Sequence, residues 1–117
     1  MAATAPRIHE GLGIDPGIDA GEASDLADLF RLLGDPGRVR ILFALLAAGE
    51  LRVSDLAARV GMAETSVSHA LRLLRTAGIV RNRRAGRNVH YALDDDHVRL
   101  LLSLSREHLR HETDAPR

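Results

Sequence analysis

Three of the six histidines fall in one stretch, Asp95 to Glu112, which reads DDHVRLLLSLSREHLRHE. Imidazole nitrogens beside a carboxylate, with no thiolate, are the donors that suit tetrahedral Zn(II) or Co(II). On a helix turning about 100° per residue, His97, Leu101, Leu104, His108 and His111 form a single stripe, because they follow at steps of 4, 3, 4 and 3. The stripe has histidines at both ends and leucines between them, which is the pattern of a helix seam. His108 and His111 also stand where a C-terminal helix dipole favours imidazolium. Their sharing one stripe with His97 and an acidic start favours the ligand reading.

One chain cannot close such a site. His97 and His108 are eleven residues apart, roughly 16 Å along a helix, whereas ligands sit about 2 Å from a zinc ion. An antiparallel copy of the helix can close it. A two-fold axis near Leu104 sets Asp95 and His97 of one chain beside His108 and His111 of the other. The expectation is a homodimer with two identical Asp, His, His, His sites. Nickel would require further ligands, for which His9 and the segment from Glu112 to Asp114 are the candidates.

The elements that must carry this helix can be read in chain order. At 117 residues the chain is expected to be one domain, and with one Tyr, two Phe and no Trp its core must be aliphatic. Met1 to Gly21, rich in Ala, Gly, Pro and acid, is expected to be an arm and residues 113–117 a tail, leaving 22–112 as the domain. From Ala23, the spacing of Leu26, Leu29, Phe30 and Leu33 predicts a helix closed by Gly34. Asp35 and Pro36 open a second, whose Val39, Ile41, Leu42, Leu45 and Leu46 cover a wide arc and mark it as the most buried. Leu51 to Val53 has room for a single edge strand. Ser54 is expected to cap a short helix to Val60, Gly61 supplies a turn, and a helix from about Ala63 to Ala77 ends at Gly78. This is helix-turn-helix spacing. Ile79 to Arg84 and Asn88 to Leu93 then alternate with period two around Ala85-Gly86-Arg87, a hairpin that follows the recognition helix as a wing.

Formal net charge is zero, but residues 65–91 hold six Arg and no acid, while residues 1–35 hold seven acids and two Arg. The basic surface is local, which is what DNA requires. In the longer helix Val67, Leu71 and Leu74 face inward, and Thr65, Ser66, Ser68, His69 and Arg72 occupy the outward N-terminal half. Short hydroxyls let a helix sink into a major groove, and all five side chains can donate to base edges or phosphates. Arg83, Arg84 and Arg87 on the wing are expected on phosphate or in the minor groove. The partner implied is double-stranded DNA. The chain has no cysteine, which excludes disulfides and thiolate metal sites. It has no apolar run of signal-peptide or membrane-span length, so the expectation is a cytoplasmic protein without a membrane partner. A metalloenzyme is not expected: a site closed by four protein ligands leaves no position for water, and no nucleophile has a partner base.

The run SDLAARVGMAETSVSHALRLLRTAGIVRNRRAGRNVHYAL resembles the winged-helix core of the ArsR/SmtB family of bacterial metal-sensing repressors, with its V-S-H-x-L-x-x-L-x-x-A-G-[LI]-V and R-x-G-R-x-x-x-Y-x-L patterns. The likeness extends from about Ala23 to His111. It implies a mainly α fold with a small β-hairpin, a winged helix-turn-helix that dimerises through its N- and C-terminal helices. Asp95-x-His97, ten residues, then His108-x-x-His111 is similar to members whose zinc/cobalt or nickel/cobalt site lies between paired C-terminal helices. Members that sense through cysteine are poor matches. The resemblance further implies a repressor that binds a palindromic operator and is released by metal, with His108 hydrogen-bonded to the backbone of Gly78 as the allosteric link. The alternative is the same DNA-binding dimer with a non-metal inducer.

Paired recognition helices must stand about 34 Å apart to enter successive major grooves. Clamping both ends of the C-terminal helix pair fixes that separation, and a site that favours the wrong spacing weakens DNA binding. Histidine ligates only when neutral, so metal affinity is expected to fall below about pH 6.5.

Overall fold

The computed structural model describes residues 17–114, with side chains described through His111. His9 and the larger part of the expected arm lie outside the described residues. Five helices and three short strands follow in the order α1 (Ala20–Leu33), α2 (Pro36–Ala48), β1 (Leu51–Arg52), α3 (Val53–Val60), α4 (Glu64–Thr76), β2 (Val80–Ala85), β3 (Asn88–Leu93) and α5 (Asp96–Asp114).

Most boundaries follow from caps. Asp19 accepts the Glu22 N–H at 2.8 Å, so α1 begins at Ala20, inside the segment expected as arm. Asp35 accepts the Arg38 N–H at 3.0 Å, Pro36 opens α2, and Gly49 at φ +87° ends it, donating to the Leu45 carbonyl. Ser54 does not cap α3. Leu51 and Arg52 are drawn into antiparallel pairing with Tyr91 and His90, and the chain passes from strand to helix at Val53 without a side-chain cap. The edge strand expected from Leu51 thus forms over two residues and joins the hairpin as a third strand, in the order β1-β3-β2.

The core forms where α2, α3, α4 and the sheet meet. Ile41, Leu42, Leu45, Leu56, Val60, Val67, Leu71, Leu74, Val80 and Leu93 are all buried, and no polar or charged side chain among the described residues is buried with them. The wide apolar arc of α2 is the centre of this core, as its sequence predicts. Helices α1 and α5 lie at its margin. No residue of α1 is buried, and among the described residues α5 buries only Leu102. Phe30 on α1 and Leu100 and Leu104 on α5 remain 59%, 56% and 53% exposed, a large apolar area for one chain to leave in water. Between α1, α2 and α5 runs an apolar groove of about 660 Å³ that includes Phe30, Phe43 and Leu101 in its walls. Among the described residues, no helix is long and apolar enough to cross a membrane.

Candidate nucleic-acid interface and metal centre

Helix α4 is held by one face and free on the other. Val67, Ala70, Leu71 and Leu74 are buried, whereas Thr65, Ser66, His69 and Arg72 are exposed and Ser68 is half-buried. Gly61, at φ +68° in the left-handed region, turns the chain from α3 to α4, and the N–H groups of Gly61 and Met62 both donate to the Ala57 carbonyl. Ala63, the residue before α4, offers no side-chain acceptor. The first-turn N–H groups of α4 therefore stay available to an anion such as a DNA phosphate. Thr65, Ser66 and His69 line a shallow depression with Asp35, Arg38 and Met62.

The wing is β2 and β3 joined at Gly86-Arg87, with Ala85 opposite Asn88 and Gly86 at φ +65°. Its ladder pairs Arg84 with Val89 and Arg83 with His90, so the two neighbouring arginines lie on opposite faces of the sheet. Arg84 and Arg87 are exposed, and among the described residues their side chains hold no hydrogen bond or ion pair. Arg83 is different: its Nε and Nη2 donate to the two carboxylate oxygens of Glu50 at 2.8 and 2.7 Å. The Glu50 carboxyl is held below its ordinary range chiefly by that hydrogen bonding, against the opposing effect of partial burial, with electrostatic attraction to Arg83 adding to the lowering. Arg81 donates to the carbonyls of Leu93 and Asp94.

At the start of α5, Asp95 is the cap, accepting the Val98 N–H through Oδ1 at 3.1 Å. Its other oxygen, Oδ2, lies 3.6 Å from Nδ1 of His97. The Val98 N–H is the main reason the Asp95 carboxyl sits below the usual carboxylate range, with His97 adding to the effect. His97 is 94% exposed, and His108 and His111 are exposed as well. The predicted stripe faces away from the core: Leu101 and Leu104 are exposed, while Leu102, outside the stripe, points inward. Among the described residues no group of three or more candidate ligands gathers within the chain.

Residues 35–82 match the family described as bacterial regulatory protein, arsR family. Over 89 residues the chain is 46% identical to the transcriptional repressor SmtB homolog of Synechocystis, covering 76% of this chain and 67% of that one. The chain belongs to the ArsR family. Among solved structures, the antimony-specific transcriptional repressor AntR superposes with a TM-score of 0.77 at 34% identity, covering 95% of this chain and all of that one. A homodimeric winged helix-turn-helix DNA-binding domain from Mycobacterium bovis superposes with a TM-score of 0.74 at 25% identity, covering 86% and 94%. The winged helix-turn-helix reading of the sequence therefore stands.

The ArsR-family match ends within β2, before α5 begins. Membership thus speaks for the DNA-reading half, and the ligand set of α5 has to be argued from its own residues. Two contacts of this ArsR-family chain escaped sequence reasoning. Glu50 meets Arg83 across 33 positions, a contact no local pattern announces. Arg38 donates from Nε to the Leu32 carbonyl at 2.6 Å, tying α2 to the end of α1 beside the recognition helix.

Proposed function

We propose that this protein is a dimeric transcriptional repressor whose affinity for a palindromic operator is lowered by Zn(II) or Co(II) held between two α5 helices. Asp95 and His97 of one subunit and His108 and His111 of the other would hold the ion. Thr65, Ser66, Ser68, His69 and Arg72 read the operator from α4, and Arg84 and Arg87 reach phosphate from the wing. Such work on DNA belongs in the cytoplasm.

The observation that carries the metal assignment is the Asp95–His97 pair. Two ligands each about 2.0–2.1 Å from a tetrahedral zinc stand about 3.4 Å apart, and Asp95 Oδ2 and His97 Nδ1 stand 3.6 Å apart with both side chains toward solvent. The donor set of three nitrogens and one carboxylate oxygen fits the same ions. Bound there, the ion would supply a concentrated positive charge that draws the four side chains together. Asp95 contributes one oxygen while the other keeps the helix cap, so the ligand is oriented by α5 itself. His108 and His111, three residues apart on one face, present two further nitrogens at the far end of the helix. Support for a dimer comes from the exposed leucines of α5 and Phe30 of α1, which a second copy would cover. Nickel would need additional donors, with His9 and the Glu112 to Asp114 segment as the candidates. The backbone of Gly78, just beyond α4, remains the proposed acceptor for His108.

The two tasks of Asp95 can be separated. Asn caps helices about as well as Asp, whereas Ala costs about 1 kcal/mol at such a position. Asp95→Asn is therefore expected to keep the thermal stability of the metal-free protein and to lose the visible absorption of bound Co(II). Asp95→Ala is expected to lose both. Because its folded pKa lies below the unfolded value, the Asp95 contribution is complete above the ordinary carboxylate pKa of about 3.9 and disappears as pH falls through the lower folded value. Unchanged Co(II) spectra in Asp95→Asn would remove Asp95 from the ligand set.

A further inference from the structure

On one face of the sheet, Arg52, His90 and Arg83 stand in register across β1, β3 and β2. Glu50, two residues before Arg52 and just after the turn at Gly49, reaches Arg83 diagonally over the intervening strand, a span of about two strand spacings or roughly 10 Å. Each arginine of this face is occupied within the chain. Arg52 donates to Asp55 and Asn88, Arg81 to two carbonyls and Arg83 to Glu50. Arg84, on the opposite face, and Arg87, on the turn, are not.

Resting on the DNA-binding reading above, we propose that Glu50 acts as a built-in substitute for a phosphate, holding Arg83 off the DNA and fixing the pose of the wing, so that only Arg84 and Arg87 of the wing neutralise phosphate. The forked, two-bond geometry is the one by which a guanidinium recognises carboxylate and phosphate alike. Exchange of Glu50 for a phosphate would leave a bare carboxylate facing a polyanion. The pair together is neutral, and DNA releases counterions only for uncompensated positive charge. Arg83 is thereby a positioning residue, and Glu50 decides how many charges the wing presents.

The test is a double-mutant cycle on the full chain in chelator, measuring binding to a fluorescent mixed-sequence duplex as a function of NaCl. Arg83→Ala leaves Glu50 a bare carboxylate and is expected to weaken binding without steepening the slope of log K against log[salt]. Glu50→Gln is expected to steepen it by about 0.9 per subunit. Glu50→Gln combined with Arg83→Ala is expected to return to the wild-type slope, which separates a freed Arg83 from a general loss of negative charge. A slope shallower than wild type in the double variant, where both charges are gone, overturns the proposal. So does a Glu50→Gln slope that is unchanged or shallower, or a gain that persists in the double variant. If the wild type itself shows no salt-dependent binding, the DNA-binding reading falls too; if it binds and the cycle fails, only the role of Glu50 falls.

Discussion

Saturating Zn(II) is expected to lower the operator affinity of the wild-type protein by about 150-fold, and His97→Ala to abolish that response while leaving metal-free binding intact. The size follows from a coupling free energy of about 3 kcal/mol, the upper end of what two linked sites commonly share. His97 is the residue to change because its side chain is 94% exposed and carries no part of the core, so its loss removes a ligand without disturbing the fold. Linkage makes the effect reciprocal: operator DNA must weaken Zn(II) binding by the same factor. Fluorescence anisotropy on a palindromic fragment from upstream of the protein's own gene, in chelator and then with Zn(II), Co(II) or Ni(II), reads the effect and ranks the metals. Tight operator binding that ignores all three ions would mean that the histidine stripe is only a dimer seam and that the inducer is not a metal.

Leu104→Arg is expected to convert the protein to a monomer at micromolar concentration and to remove operator binding and metal response together. Leu104 is 53% exposed at the centre of the stripe, between Leu101 and His108. A two-fold axis there brings it against its own copy, so one substitution acts twice. Burying one leucine side chain is worth about 1.5–3 kcal/mol. Losing two, and confronting two guanidinium groups across the axis, exceeds about 4 kcal/mol, or a thousandfold in dimer dissociation constant. Half-sites about 34 Å apart cannot both be held by a monomer. Sedimentation velocity decides the matter. A dimer as stable as the wild type would place the subunit contact elsewhere, the Phe30 face of α1 being the next surface to test.

The parts of this molecule legible in its sequence are those governed by neighbours in the chain. The Asp35-Pro36 start of α2, the Gly61 turn and the inward Val67, Leu71 and Leu74 of α4 are local signals, and each is found where its pattern places it. The stripe on α5 is also local, since its period alone sets His97, Leu101 and Leu104 on one exposed side. Contacts that depend on distant pairing are not written locally. The third strand forms because Leu51 and Arg52 find Tyr91 and His90, and this moves the start of α3 from the expected Ser54 cap to Val53. Arg83 and Arg84 look alike in sequence. Strand alternation puts them on opposite faces, and Glu50, 33 positions from Arg83, makes them unlike in charge available to DNA. The cap at Asp95 lay between these cases: its acidic start was visible, but not that one oxygen would cap while the other faced His97.

Because the candidate ligands sit at opposite ends of one helix, two defective copies can repair one another. A subunit altered at Asp95 and His97 still offers His108 and His111, and a subunit altered at His108 and His111 still offers Asp95 and His97. Neither is expected to respond to metal as a homodimer. Co-expressed in one cell, they form mixed dimers in which one site is fully rebuilt and the other doubly broken. Metal-dependent induction from a reporter gene should then return when the two alleles are combined, and two alleles altered at the same end should stay silent. Heredity would thus report the antiparallel arrangement of the helices without any measurement on the purified protein.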